Sequence, residues 1–201
     1  MRAAVAVALA AIVLAGCGAH EKDTGSKDGI PRSLIEEVRP IGAGPRFHPS
    51  VSGPVFGSCR RGLGERAAAH VEVFAADRVV IVPAGIGTRP PRQDVDGRIE
   101  SARCFGKLVT LDPTGVVLVR RGSHATLFDL FRSWGQPLST SQVASFQAKP
   151  SGPVRVYVDG RRSNVKPGLV PLRYHSEIVI EIGPYVPPHS HFTFAPITHV
   201  G

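Results

Sequence analysis

The sequence has little cysteine: three residues in 201, with no C-x-x-C pair. That excludes a thiolate metal framework and a scaffold stapled by several bridges. No Lys/Arg run exceeds two residues, and no basic stretch is interleaved with aromatics. Nucleic acid is therefore not an expected partner, despite a net charge of +8. G-x-S-x-G, P-loop and H-E-x-x-H patterns are absent. Ser123 and His124 are neighbours in sequence only, which implies nothing about triad geometry. No catalytic constellation is present, so a non-catalytic role is expected. The longest apolar run, Ala3–Ala15, is too short to cross a bilayer core.

What the chain does have is glycine and proline, 22 and 18 residues. That composition favours turns and short strands over a helical bundle. Without its two ends the chain leaves about 145 residues, the size of one domain. A basic surface can attract anionic lipid headgroups, acidic wall polymers or nucleic acid. With nucleic acid set aside, the expected partners are the membrane and an envelope protein or wall polymer.

Residues 1–16, MRAAVAVALAAIVLAG, place one Arg before a short apolar run, as in a secretory leader. Leu14-Ala15-Gly16-Cys17 then resembles a bacterial lipobox. The resemblance implies cleavage before Cys17, a diacylglyceryl thioether on its sulfur and an acyl chain on its new amine. Two or three chains anchor stably where one is marginal. The protein is thus expected to be exported and held on the outer face of the cell membrane. Residues 17–54 are rich in charge, Gly, Pro and Ser, and read as a flexible tether, with one amphipathic turn at Ser33–Val38.

Residues 55–187 read as one folded domain. With Cys17 acylated, Cys59 and Cys104 remain, and an oxidising exterior predicts that they pair. Two free buried thiols or a two-Cys metal site are the rival readings, and neither has a C-x-x-C or His spacing beside it. The His70–Val82 segment, HVEVFAADRVVIV, predicts a hairpin turning at Ala76-Asp77. Residues 88–97, TRPPRQDVDG, read as a long polar loop and a candidate recognition surface. Lys107–Leu111 and Val116–Val119 flank the turn tetrapeptide Asp112-Pro113-Thr114-Gly115.

Thr126 is an N-cap for a helix over Leu127–Trp134, and Gly135 its C-cap. Leu127, Leu130, Phe131 and Trp134 fall on one face, which points to core. Residues 139–146 suit a short helix or turn. Val154–Val158, the Asp159-Gly160 turn and Ile178–Ile182 predict further strands. The order gives an α+β domain, a small mostly antiparallel sheet with one main helix, β-grasp-like. A small β-sandwich is the alternative. Residues 188–201 read as a flexible tail.

Several of these pieces together resemble a group of exported and lipid-anchored bacterial proteins of uncharacterised activity. They are Cys59, the hairpin ending in Val82-Pro83-Ala84-Gly85-Ile86-Gly87, Cys104, Asp112, Gly115, the run Leu127–Leu138 containing Trp134-Gly135-Gln136-Pro137-Leu138, Val156–Gly160, Pro171-Leu172 and Ile180–Gly183. The resemblance covers about residues 55–187 and bears on architecture more than activity. Many of the group carry His-Thr-His-Asp in the central hairpin and a further His beyond, a set suited to Cu or Zn. Here the matching residues are Val109, Thr110, Leu111 and Asp112, then Leu118. Of that polar set only His70 and Asp112 remain, and aliphatic side chains ligate nothing.

Candidate metal ligands are then His70 and the C-terminal His175, His189 and His191, with His199 beyond. His189-x-His191 places two imidazoles on one side of an extended segment. Glu72, Asp112, Glu177 and Glu181 lie in or beside strands, but no spacing pairs them. Two readings follow: a non-catalytic envelope lipoprotein that binds a partner through residues 88–97 or a sheet edge, and an exported Cu- or Zn-binding protein.

Overall fold

The computed structural model describes residues 41–148 and 152–195; the leader, Cys17, the 33–38 turn and His199 lie outside the described residues. In chain order the strands are β1 (Arg66–Ala75), β2 (Arg78–Val79), β3 (Thr88–Val95), β4 (Arg98–Phe105), β5 (Leu108–Val109), β6 (Val116–Arg120), β7 (Gln142–Val143), β8 (Phe146–Gln147), β9 (Arg155–Val158), β10 (Arg161–Arg162) and β11 (Glu177–Ile182). One helix, α1 (Leu127–Trp134), and a 3-10 turn, Pro167–Leu169, complete the described elements. Among the described residues the protein is mostly sheet with a single helix.

Strand β1 is the axis. The main sheet runs β10-β9-β11-β1-β6-β5, with β2 folding back on the end of β1. Among the described strands only β1 and β11 pair in parallel, from His70 opposite Glu177 to Ala75 opposite Ile182. Every other neighbour in this sheet is antiparallel. The β1–β2 turn holds Ala76 and Asp77 at φ 51° and 62°. Two left-handed residues match the twist of the flanking strands. Asp159 and Gly160, at 50° and 75°, do the same between β9 and β10.

The two sides of the sheet differ because side chains alternate along each strand. Val71, Val73, Ile178, Ile180, Ile182 and Val156 face the main core, which α1 closes with Leu127, Leu130, Phe131 and Trp134. These four helical side chains are fully buried. Each contributes about 1.5–3 kcal/mol of apolar transfer. The backbone N–H of Thr126 and its hydroxyl both donate to Asp129 Oδ2, at 2.9 and 3.1 Å. Gly135 ends the helix at φ 84°.

The opposite side is covered in two parts. Hairpin β3–β4 packs Ile99 and Phe105 against Ala68, Val109 and Leu118. Residues 184–195 form a strap across β1, β9 and β11, with Val186 against Phe74, Tyr157 and Val179. Both central strands are therefore buried on both sides.

Four segments differ from their sequence reading. Residues 88–95 are a strand, not a loop. Asp96 and Gly97, both at positive φ, supply the turn to β4. The register slips between Arg89 and Arg92, where Pro90 and Pro91 have no N–H to give. Of the short helix or turn read for residues 139–146 the turn is present, at the tip of the small β7–β8 hairpin over residues 142–147, with Ala144 at φ 47°, and the helix is not.

Residues 41–54 lie on the domain instead of forming tether. The Phe47 ring packs tilted against Phe146 with centroids 4.9 Å apart, and Trp134 Nε1 donates to the Pro49 carbonyl at 3.2 Å. Phe47 and Val51 pack against the main core, and backbone bonds run from Ser52 N–H to the Trp134 carbonyl and from Ile81 N–H to the Phe47 carbonyl. Together they work against the ordering entropy that composition alone disfavours. Residues 188–195 are docked rather than loose, for reasons given below.

Cys59 and Cys104 are joined in a disulfide that closes 45 residues of separation. It ties the segment before β1 to β4, where Arg60 and Phe105 exchange backbone hydrogen bonds of 2.9 and 2.7 Å. Replacing both cysteines by serine is expected to lower stability by about 2–4 kcal/mol. The measurement is the urea midpoint under non-reducing conditions. Wild-type protein in reductant should fall to the same midpoint as the double variant.

Candidate functional site

The strap side of β1 carries His70 and Glu72, two residues apart and so on one side of the strand. Parallel pairing puts Glu177 of β11 directly opposite His70. His70 Nδ1 lies 2.7 Å from Glu177 Oε2. Its other nitrogen, Nε2, lies 2.8 Å from the Thr114 carbonyl oxygen. A carbonyl only accepts, so Nε2 carries a hydrogen and donates it. The position of Gly115 makes this approach possible: a Cβ there would sit 2.5 Å from the Val71 carbonyl oxygen and 3.0 Å from His70 Nε2.

The strap completes the group. His189 Nδ1 lies 2.7 Å from Glu72 Oε2. Phe192 stacks on the His70 ring with centroids 3.8 Å apart. One potential ligand atom from each of His70, Glu72 and Glu177 lies within 4.8 Å of the other two. His70 and Glu177 are 3% and 0% exposed. Burial pushes the Glu177 carboxyl above the usual range, against a lowering by its bond to His70. Glu177 Oε1 is buried with no hydrogen-bond partner among the described residues.

The other candidates lie apart from this group. His175, at φ 57°, is stacked between Tyr174 at 3.7 Å and Phe194 at 4.4 Å. His191 is exposed, its Nδ1 3.3 Å from Ser190 Oγ. The His189-x-His191 pair thus does not act as a unit, since only His189 reaches the sheet. Asp112 pairs with Arg98 at 2.5 Å, on the β4 side of the molecule. Glu181 takes a contact from Arg155 Nε at 3.2 Å. A shallow depression at Arg61, Leu63, Ile99, Glu100 and Phe105 gathers one arginine and one glutamate.

Comparison with protein-family models, with curated proteins and with solved structures finds no match to this chain.

Sequence reasoning named His70, Glu72, Glu177 and His189 separately but did not join them. The signal was two glutamates inside the apolar strand E-I-V-I-E-I. A buried strand tolerates a carboxylate only with a partner. Which partner depends on the β1–β11 pairing across 107 residues of sequence.

Proposed function

We propose that the protein is an exported lipoprotein, held on the outer face of the cell membrane through Cys17, whose domain is a non-catalytic binding module for an envelope protein or wall polymer. The leader, the Leu14–Cys17 lipobox and the likeness to exported lipid-anchored proteins support the location. A parallel central pair between antiparallel hairpins, crossed by one helix, supports a β-grasp-like reading of the fold. The observation that carries the binding role is the outer edge of β3. Strand β3 pairs with β4 alone among the described strands. Arg89, Gln93 and Val95 are exposed along it. Pro90 and Pro91 blunt the first half of this edge, so strand addition by a short extended partner segment falls to residues 93–95 beyond them.

A photo-crosslinking residue at Gln93 in intact cells tests the role. A discrete adduct is expected there and not at Asp77, at the β1–β2 turn. Equal, diffuse labelling at both positions would reject the β3 edge. Anchoring is tested separately with Cys17→Ser. The variant is expected to move from the membrane fraction to the soluble fraction, with loss of the acyl mass. Membrane retention of an unacylated variant would overturn the anchor.

A further inference from the structure

We propose that His70, Glu72 and Glu177 form a site for a divalent first-row transition cation, with Zn(II) as the best fit, and that His189 of the strap is its fourth donor. The first argument is hydrogen-bond polarity. His70 Nε2 spends its hydrogen on the Thr114 carbonyl. At Nδ1, 2.7 Å from Glu177 Oε2, the ring then either donates a second hydrogen to the carboxylate or offers a lone pair to a cation held between them. Two acceptors that close need positive charge between them, as a proton or a cation. An outer carbonyl that fixes one ring nitrogen and frees the other is also the usual support of a ligating histidine.

The second argument is Glu177 Oε1, fully buried and unpartnered among the described residues. A buried carboxylate oxygen held that way lacks a positive neighbour, which a cation at this place supplies. The third is charge. Glu72 and Glu177 bring two negative charges, which one divalent ion balances with both imidazoles neutral. Mixed imidazole and carboxylate donors suit Zn(II), and Cu(II) competes by its higher intrinsic affinity. Donors about 2.0–2.1 Å from a tetrahedral zinc sit about 3.3 Å from one another. The ligand atoms of His70, Glu72 and Glu177 lie within 4.8 Å of one another. His189 stands outside that group, reaching it through its 2.7 Å contact with Glu72, so closing the set requires the side chains to draw in and the strap to follow.

His189 gives the site a consequence. It stands on the strap, and Phe192 three residues later lies flat on His70. A bound cation would pin the strap to the central strands. The inference stands independently of the partner-binding role.

The test uses the full-length chain in detergent micelles, stripped of metal and titrated with Zn(II) against a chromophoric chelator. One ion per chain is expected, at micromolar or tighter affinity. Glu72→Gln and His189→Ala should each weaken it at least about tenfold. His191→Ala and His175→Ala should leave it within about twofold, because both lie outside the donor set. Glu177→Gln should abolish it. Since Glu177 is fully buried, Glu72→Gln, nearer the surface, is the deciding variant, used with its metal-free melting curve shown to be cooperative. Amide exchange at residues 189–195 should slow on adding Zn(II) in the wild type and not in Glu72→Gln. Failure to compete with the chelator overturns the proposal. So does affinity that survives Glu72→Gln and His189→Ala but is lost in His191→Ala, which would place the ion on the strap surface.

Discussion

Trp134→Ala is expected to lower the unfolding free energy by about 3–5 kcal/mol and the thermal midpoint by roughly 6–20 °C. The indole is fully buried and packs at 5.4 Å from Phe131. Truncation leaves a cavity at the end of α1, where the helix meets the core. It also removes the donor to the Pro49 carbonyl. That bond, with Ser52 N–H to the Trp134 carbonyl at 3.0 Å, holds residues 41–54 to the domain. The N-terminal segment should therefore loosen together with the core. Phe128→Ala on the same helix is the control. Its ring is 52% exposed, so its change should stay within about 0.5 kcal/mol. Urea and thermal melts of the two variants decide the matter. Comparable losses would mean that α1 is held by its whole circumference rather than by one side. A Trp134→Ala loss under about 1 kcal/mol would mean that the core refills the space.

This contrast also marks how far the sequence could be read. The helix was legible because its signals are local: a Thr cap, a period of three and four, and Gly135 at the end. The Ala76-Asp77 and Asp159-Gly160 turns were legible for the same reason. The β3 strand was missed because Pro90 and Pro91 argue against a strand interior. An edge strand tolerates them, and nothing in TRPPRQDV announces an edge. The Asp96-Gly97 turn was present but lacked apolar alternation on either side. Residues 41–54 and 188–195 have the composition of loose chain. Their order comes from contacts with distant parts of the domain: Phe47, Pro49 and Ser52 for the first segment, His189, Phe192 and Phe194 for the second. Such contacts depend on where distant strands lie. The His70–Glu177 pair belongs to this class, because only the parallel pairing of β1 with β11 brings its members together. Local chemistry was readable, and partners more than a hundred residues apart were not.

Gly115 joins the two levels, and its replacement should show it. Gly115→Ala is expected to cost about 3 kcal/mol or more, whereas Gly97→Ala should cost about 1 kcal/mol. The two glycines have nearly equal φ, 82° and 81°. The left-handed penalty is therefore common to both and cancels in the comparison. Gly97 stands in open space, with nothing within 4 Å of an added Cβ. At Gly115 the new methyl meets the Val71 carbonyl oxygen at 2.5 Å, and backbone cannot step aside as a flexible side chain would. Relief requires β1 and the 112–115 turn to part. That strains the bond from Val71 N–H to the Gly115 carbonyl, now 2.9 Å. It also pushes His70 off the Thr114 carbonyl, since the methyl lies 3.0 Å from Nε2. Urea midpoints of the two alanine variants measure the difference. Equal midpoints would show that the turn shifts freely against β1. In that case the Thr114 carbonyl could not be what orients the imidazole.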